Sequence, residues 1–258
     1  MRRQLSDRTA IVTGGSDGIG RATAVLFARE GARVFVGDFQ PLAENAALFA
    51  ELGISERRCD VRVEIDVRQL IDAAIQATGR LDIMVNNAGI GLVKQIPDVT
   101  EAEWDAVLDT NLKGAFLGCK HAIPHMQRGG GGSIINTASN AGLLPRAHDP
   151  VDSTSKIALV GLTKSLALCH AKDKIRVNCV CPGPVGETGM MNASLREAAD
   201  PEALAAQLVA ASPLAKAFGR MISPEEVAEA MLYFASDASL MVTGTALAID
   251  GGKSLGVP

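Results

Sequence analysis

Three glycines along one turn carry the plainest chemistry in this 258-residue sequence. Thr9-Ala-Ile-Val-Thr13 reads as a short apolar strand; Gly14-Gly-Ser-Asp-Gly18-Ile-Gly20 follows, and an amphipathic helix starts near Arg21. Gly14 lets the chain turn sharply off the strand. Gly18 lets backbone N–H groups close on a pyrophosphate, and Gly20 lets the helix lie near the sheet. Ser16, Asp17 and Ile19 fill the same turn, and the helix N-terminus adds partial positive charge for phosphates. Strand, glycine loop, helix and strand together predict a dinucleotide cradle over Thr9 to Asp38.

Asp38 closes the second strand, Val34-Phe-Val-Gly-Asp38. A carboxylate there accepts hydrogen bonds from both adenosine ribose hydroxyls and repels a 2′-phosphate. The glycine loop holds no arginine or lysine, and Phe39 follows Asp38, so nothing is expected to offset an extra phosphate. The cofactor expected is therefore NAD rather than NADP. Asp60-Val61 ends a possible third strand, where an adenine edge would be met or where a strand merely ends on a polar residue.

The elements that must position this loop alternate along the chain. Strand-like runs fall at Thr9–Thr13, Arg33–Asp38, Ile83–Asn86, Ser133–Thr137, Arg176–Val180 and Ala246–Asp250. Amphipathic stretches lie between them at Gly20–Glu30, Glu64–Thr78, Glu101–Gln127, Ser155–Ala171 and Pro224–Ser236. Such alternation predicts an α/β fold: one Rossmann-type, doubly wound parallel sheet with helices on both faces, spanning 1–258 as a single domain. Gly129 to Gly132 is too short a glycine run to separate domains.

Composition narrows the function classes. The chain is 47% hydrophobic and 21% charged, which excludes disorder, and its 3% aromatics require an aliphatic core. A net charge of −4 gives no footprint for nucleic acid, and no apolar run is long enough for a membrane span. The polar start lacks a signal-peptide core, and five cysteines without framework spacing fit reduced thiols, so a cytoplasmic location is expected. Cys179 and Cys181, with one residue between them, read as half-core, half-site residues rather than a redox pair. His121 and His125 have a metal-like spacing, but Pro124 lies between them and no carboxylate joins them, so no metal is expected. His148, four residues before Asp152, reads either as a site-mouth group or as a solvated loop histidine.

Taken with the glycine spacing, Asn86-Asn87-Ala88-Gly89 after a strand resembles the short-chain dehydrogenase/reductase family. The likeness runs from Leu5 to Gly252 and includes Asn111 in Asn-Leu-Lys-Gly, Ser139 in Asn-Thr-Ala-Ser-Asn-Ala-Gly and Lys156 in Ser-Thr-Ser-Lys. Pro182-Gly183 and Asp250-Gly-Gly complete it. The resemblance implies that Asn86, Asn87, Ala88 and Gly89 support the sheet centre and the cofactor ribose. It places Pro182, Gly183 and Val185 beside the nicotinamide and Thr188 near its carboxamide. Ser139 would hydrogen-bond the substrate oxygen, and Lys156 would bind the nicotinamide ribose and lower the pKa of a tyrosine. Asn111 would hold a water that links Lys156 to solvent.

That tyrosine is missing. Its place, four residues before Lys156 and thirteen after Ser139, holds Asp152, and the only tyrosine in the chain is Tyr233. A tyrosine starts at about pKa 10 and an aspartate at about 3.9. Lys156 would push Asp152 lower and burial would push it higher. If it stays low, about one molecule in a thousand is protonated at neutral pH, which starves a carbonyl reductase of its proton donor but leaves a dehydrogenase a weak base. The carboxylate also sits about 3 Å nearer its backbone than a tyrosine hydroxyl would, a gap one water can bridge. Such a water suits oxidation of an aldehyde through its hydrate. Asp152 is thus read as a natural variant, as an engineered or accidental change, or as the mark of an NAD-binding protein without catalysis.

The segment from Gly186 to about Arg220 corresponds to the family's substrate loop. Met190, Met191, Leu195, Leu204, Leu208 and Phe218 give it an apolar side, which reads either as a helix packed on the body or as a mobile cover for an apolar substrate. The stretch Pro182 to Thr188 is one residue longer than the family spacing, so either Glu187 or Thr188 would face the carboxamide. The resemblance implies a homotetramer, with stripes such as Leu159, Leu162 and Leu166 covered on their outer face; the alternative is that those stripes bury only against the sheet.

Overall fold

The structure is a computed structural model and describes residues 3–256. Seven parallel strands form one sheet: β1 (Thr9–Thr13), β2 (Arg33–Asp38), β3 (Ser55–Arg58), β4 (Ile83–Asn86), β5 (Gly132–Thr137), β6 (Ile175–Pro182) and β7 (Ala246–Ile249). Their spatial order is β3-β2-β1-β4-β5-β6-β7, so the winding reverses between β1 and β4. A doubly wound sheet opens its ligand crevice at that reversal, beyond the carboxyl ends of the strands. The segments that follow β1 and β4 are Gly14 onward and Asn87-Ala88-Gly89.

Among the described residues ten helices accompany the sheet: α1 (Gly18–Arg29), α2 (Ala46–Leu52), α3 (Glu64–Thr78), α4 (Glu101–Leu108), α5 (Gly114–Gly129), α6 (Pro150–His170), α7 (Gly189–Glu197), α8 (Pro201–Ala210), α9 (Pro213–Phe218) and α10 (Pro224–Ala235). The strands alternate their side chains between two aliphatic cores, as a period of two requires. Val12, Val34, Val36 and Ile135 pack with Phe27, Met231 and Phe234 on the α1/α10 side. Ile11, Phe35 and Ile134 pack with Leu70, Leu117 and Met126 on the α3/α5 side.

The strands expected from alternation stand within one or two residues of their predicted ends, and β3 proves to end at Arg58, before Asp60. The amphipathic run Glu101–Gln127 is one helical path broken by a π-turn at Asp109–Lys113. α6 starts at Pro150, earlier than the periodicity suggested, because Pro at the first turn needs no N–H partner. The substrate segment is three short helices, α7 to α9, rather than one, and neither α7 nor α8 has a buried residue. No helix among the described residues is long and apolar enough to cross a membrane.

The apolar stripe of α6 packs inward in part: Leu159 is buried, and Leu162 and Leu166 are partly buried. Leu159 and Leu162 pack beside Ala115 and Ala138, and Leu166 packs on the α3/α5 core. The apolar groups left exposed nearby are Trp104, Phe116, Ile157 and Leu168.

Candidate active site

The glycine loop is built as its spacing requires. Gly14 and Gly18 adopt φ of +62° and +48°, a region that costs side-chain-bearing residues strain. A Cβ on Gly14 would stand 2.8 Å from Ala88 Cα, and one on Gly18 would stand 2.8 Å from the Thr188 methyl. A Cβ on Gly20 would meet the Gly14 carbonyl oxygen at 2.0 Å, so α1 touches the turn backbone to backbone. The first turn of α1 carries no side-chain cap. Its N–H groups are therefore available to an anion. Ile19 points into the adjoining core, so only its backbone faces the loop.

Residues far along the chain hold this turn. Asn87 donates from Nδ2 to the carbonyls of Thr13 and Gly14 at 3.1 and 2.9 Å and accepts from Thr137 Oγ1. Asn86 donates to Asn136, which donates to Thr163 on α6, a buried polar chain across β4 and β5. Asn45 donates to the Ser16 carbonyl at 2.7 Å. Thr163 and Asn45 carry no motif of their own, and Asn136 opens the motif around Ser139 without a role assigned to it, so a one-dimensional reading passes over all three.

At the end of β2, Asp38 accepts from the backbone N–H of Ser16 at 3.1 Å and of Gln40 at 3.0 Å. The Ser16 hydroxyl donates to Glu56 on β3. One expectation fails here: basic groups do stand close by. Arg58 pairs in register with Asp38, and the Arg58 and Arg62 guanidinium groups lie 5.2 and 5.5 Å from the Phe39 ring centre. They come from β3 and the turn after it, which the glycine-loop stretch does not contain. Asp60 is tied to Arg62 in a bidentate pair that holds its carboxyl below the usual range, and Val61 is buried in the core.

At the far end of the crevice, Pro182 closes β6, and Val185 is buried against Ile222 rather than open to a ligand. Glu187 takes φ +54° and is exposed, whereas Thr188 caps α7 through Met191 N–H and lies against Gly18. Of the two alternatives, Thr188 faces the crevice. Asp17 accepts from Gly189 N–H at 2.6 Å, which ties α7 to the glycine loop. Met190 lies near Gly91, so the substrate segment reaches across to the loop after β4.

One face of α6 carries Asp152, Ser155, Lys156, Leu159 and Thr163, and all are buried, as positions three and four apart on a helix must be when one faces inward. The Lys156 ammonium donates to the Thr137 carbonyl at 3.2 Å and stands close to Gly89. The π-turn aims Asn111 into the same space. Its Oδ1 accepts from Ile90 N–H at 2.8 Å, and its Nδ2 donates to the Ile90 carbonyl, to Ser155 Oγ at 3.0 Å and, longer, to Asp152 Oδ1 at 3.4 Å. Ser139, at the end of β5, is half-buried. Ser139 accepts from Ala141 N–H and from Arg146, a residue that the sequence reading did not single out.

Asp152 and Lys156 are each only 8% exposed. Burial raises the Asp152 carboxyl above its ordinary value, and the opposing pull of Lys156 and Arg146 does not overcome it. Burial likewise lowers Lys156, against the attraction of Asp152. Buried Cys181 also faces Lys156, and its hydrogen bond with Cys179, together with burial, pushes its thiol well up, so it stays protonated and inert.

The histidines lie elsewhere. His121 bonds Glu64 of α3 and His125 bonds Arg128, both at 2.9 Å, and His148 is exposed on its loop.

Comparison with known proteins agrees with this geometry. A family model described as enoyl-(acyl carrier protein) reductase matches residues 14–254. Momilactone A synthase of Oryza sativa subsp. japonica is 40% identical over 98% of this chain and 92% of its own. Cis-4-hydroxycyclohexanecarboxylate dehydrogenase of Sinomonas cyclohexanicum is 38% identical over 98% of both. A solved short-chain dehydrogenase/reductase from Burkholderia xenovorans superposes with a TM-score of 0.91 at 33% identity, over 99% of each chain. Sheet order, glycine cradle and near-full-length relatives converge: the chain is an oxidoreductase of the short-chain dehydrogenase/reductase family, whose members act on small molecules with a nicotinamide cofactor.

Proposed function

We propose that this protein is an NAD-dependent dehydrogenase that oxidises an apolar alcohol, or an aldehyde through its hydrate, with Asp152 as the base. The observation that carries the reading is the placement of Asp152. It is buried on the inner face of α6, one turn from Lys156 and within reach of Asn111, with its carboxyl raised by burial. A carboxylate with a raised pKa is a stronger base than a solvated one and stays ionised at neutral pH unless the shift is several units.

The residues present fit a dinucleotide. Gly14, Gly18 and the uncapped start of α1 would hold its phosphates, Asp38 its adenosine ribose, Lys156 and Asn87 to Gly89 its second ribose, and Thr188 its carboxamide. When bound, the cofactor supplies an acceptor for two electrons. Ser139 holds the substrate oxygen. Asp152 takes the hydroxyl proton, directly or through one water, as the substrate's C–H bond gives up its electron pair and the carbonyl forms. Lys156, with its ammonium on the Thr137 carbonyl, fixes positive charge beside the developing carbonyl.

Asp38 favours NAD, with Glu56 adding a second carboxylate nearby. Met190, Met191 and Leu195 on α7 make an apolar cover, which suits an alicyclic or acyl substrate. The relative named for cis-4-hydroxycyclohexanecarboxylate supports an alicyclic alcohol. The reading includes a cytosolic homotetramer built on the exposed apolar groups of α4 to α6.

The test compares NADH formation by the wild type, Asp152→Asn and Asp152→Tyr across alcohols and aldehydes. Activity in the wild type that disappears in Asp152→Asn is the expected result. Activity seen only in Asp152→Tyr overturns the reading and leaves an NAD-binding protein without catalysis.

A further inference from the structure

Beyond the four residues that the motifs mark, Arg146 is the side chain most firmly built into this site. It lies on the loop between β5 and α6. Its Nη1 donates to Asp149 at 2.9 Å, and its Nη2 donates to Ser139 Oγ at 3.0 Å and to Asn140 Oδ1. Its backbone N–H donates to Ser153 Oγ, and that hydroxyl reaches the same buried Asp149. Holding an arginine in one rotamer costs side-chain entropy. The Arg146 Nε is also buried without a partner. A loop held only for solubility gains nothing from a guanidinium clamped in this way.

The clamp decides what Ser139 can do. A serine hydroxyl has two lone pairs and one proton. Both lone pairs are taken, one by Ala141 N–H at 3.1 Å and one by Arg146. Only the proton remains, and the nearest acceptor, Asn140 Oδ1, is 3.4 Å away and already receives Arg146. A substrate oxygen that accepts that proton would stand about 2.7 Å from Ser139. It would then lie beside the guanidinium as well.

We propose that Arg146 is a positioning residue of this active site. It turns the Ser139 hydroxyl into a fixed donor and keeps a permanent positive charge beside the reacting oxygen, the work a tyrosine hydroxyl would otherwise share. This rests on the dehydrogenase reading above. In alcohol oxidation, negative charge grows on the oxygen as its proton passes to Asp152 and the C–H electron pair leaves for the cofactor. A preorganised cation stabilises that charge. Arginine cannot lose its own proton, so it never competes with Asp152 for the base's role. The charges facing Asp152 are Lys156 and Arg146, which draw it toward ionisation, and Asp149, which opposes them; Asn111 faces it as a neutral donor.

A double-mutant cycle tests the proposal, with NAD and either cyclohexanol or benzyl alcohol as probes, whichever turns over faster. Arg146→Met is paired with Asp149→Asn, so that no buried carboxylate is left alone, and is measured against Asp149→Asn. The expected result is a kcat lower by about 10- to 100-fold, with KM and NADH affinity within about threefold. Arg146→Lys recovers part of the loss. In an Asp152→Tyr background, where a hydroxyl shares the task, the same change costs less than about threefold. An equal cost in both backgrounds, or a loss confined to KM or NADH affinity, overturns the proposal. A wild type that is silent while Asp152→Tyr is active brings down the dehydrogenase reading itself. An active wild type indifferent to Arg146 brings down only this inference.

Discussion

At Asp152 two opposing effects meet, and their balance sets the chemistry. Burial raises the carboxyl above its ordinary value, and the pull of Lys156 and Arg146 toward the carboxylate does not cancel that rise. Alcohol oxidation needs the ionised form, so kcat/KM should rise with pH through a midpoint above the ordinary carboxylate value. Asp152→Asn should remove that limb and lower the rate by about 10²- to 10⁴-fold, as checked by a pH profile of NADH formation. Stability carries the same sign information. Between the ordinary and the raised pKa the folded state binds more protons than the unfolded one, so this group's contribution falls as pH rises through that window. Melting temperatures of the wild type and Asp152→Asn across mildly acidic pH read that slope directly, and a parallel pair of curves would refute it. Asp38 makes a second prediction at this scale. With Arg58 and Arg62 already beside Phe39, removing the carboxylate leaves basic groups next to the ribose site. Asp38→Ser should therefore raise the NADP-to-NAD ratio of kcat/KM at least about tenfold, roughly the effect of 1.4 kcal/mol.

Among the elements, α1 and α6 do the positioning, and each depends on a small structural allowance. α1 meets the glycine loop backbone to backbone at Gly20, where a methyl group would lie 2.0 Å from a carbonyl oxygen that has no flexible end to move. Gly20→Ala should destabilise the protein by about 3 kcal/mol and abolish NADH binding, read by thermal denaturation and fluorescence titration. A variant with unchanged stability would mean that the turn is looser than described. α6 presents its inner face by plain helical spacing, but Asn111 reaches that face only because the chain inserts a π-turn at Asp109–Lys113. Such single-turn bulges recur at functional sites because they redirect side chains without ending the helix. The extra residue per turn leaves no trace in amphipathic periodicity, which is why Glu101–Gln127 reads as one regular helix.

For the whole molecule, the exposed apolar residues argue for assembly. Leu168 is 84% exposed on α6, and Trp104, Phe116 and Ile157 add to it from α4, α5 and α6. Apolar surface of this kind tends to be covered by another protein surface. Leu168→Glu with Ile157→Glu should convert a tetramer to smaller species in sedimentation velocity. A wild type that sediments as a monomer would refute the assembly instead. Of the stripe Leu159, Leu162 and Leu166, the first is buried within the subunit, and the other two are partly buried against its cores. Periodicity marks which face of a helix is apolar, but whether the sheet or a partner covers it depends on how the helix sits.

What the amino-acid order determined by itself was local. Glycine spacing, a strand before it and an acidic residue after the next strand specify the cradle, because each acts on the backbone within a few residues. The alternation of periods likewise specifies the parallel sheet. The tertiary structure decided whatever depends on burial or on distant segments meeting. It raised the Asp152 carboxyl, laid Thr188 against Gly18, brought Arg58 and Arg62 to Phe39, and set Arg146 against Ser139. Desolvation and through-space charge have no period along a chain, so they become readable only once the chain is folded.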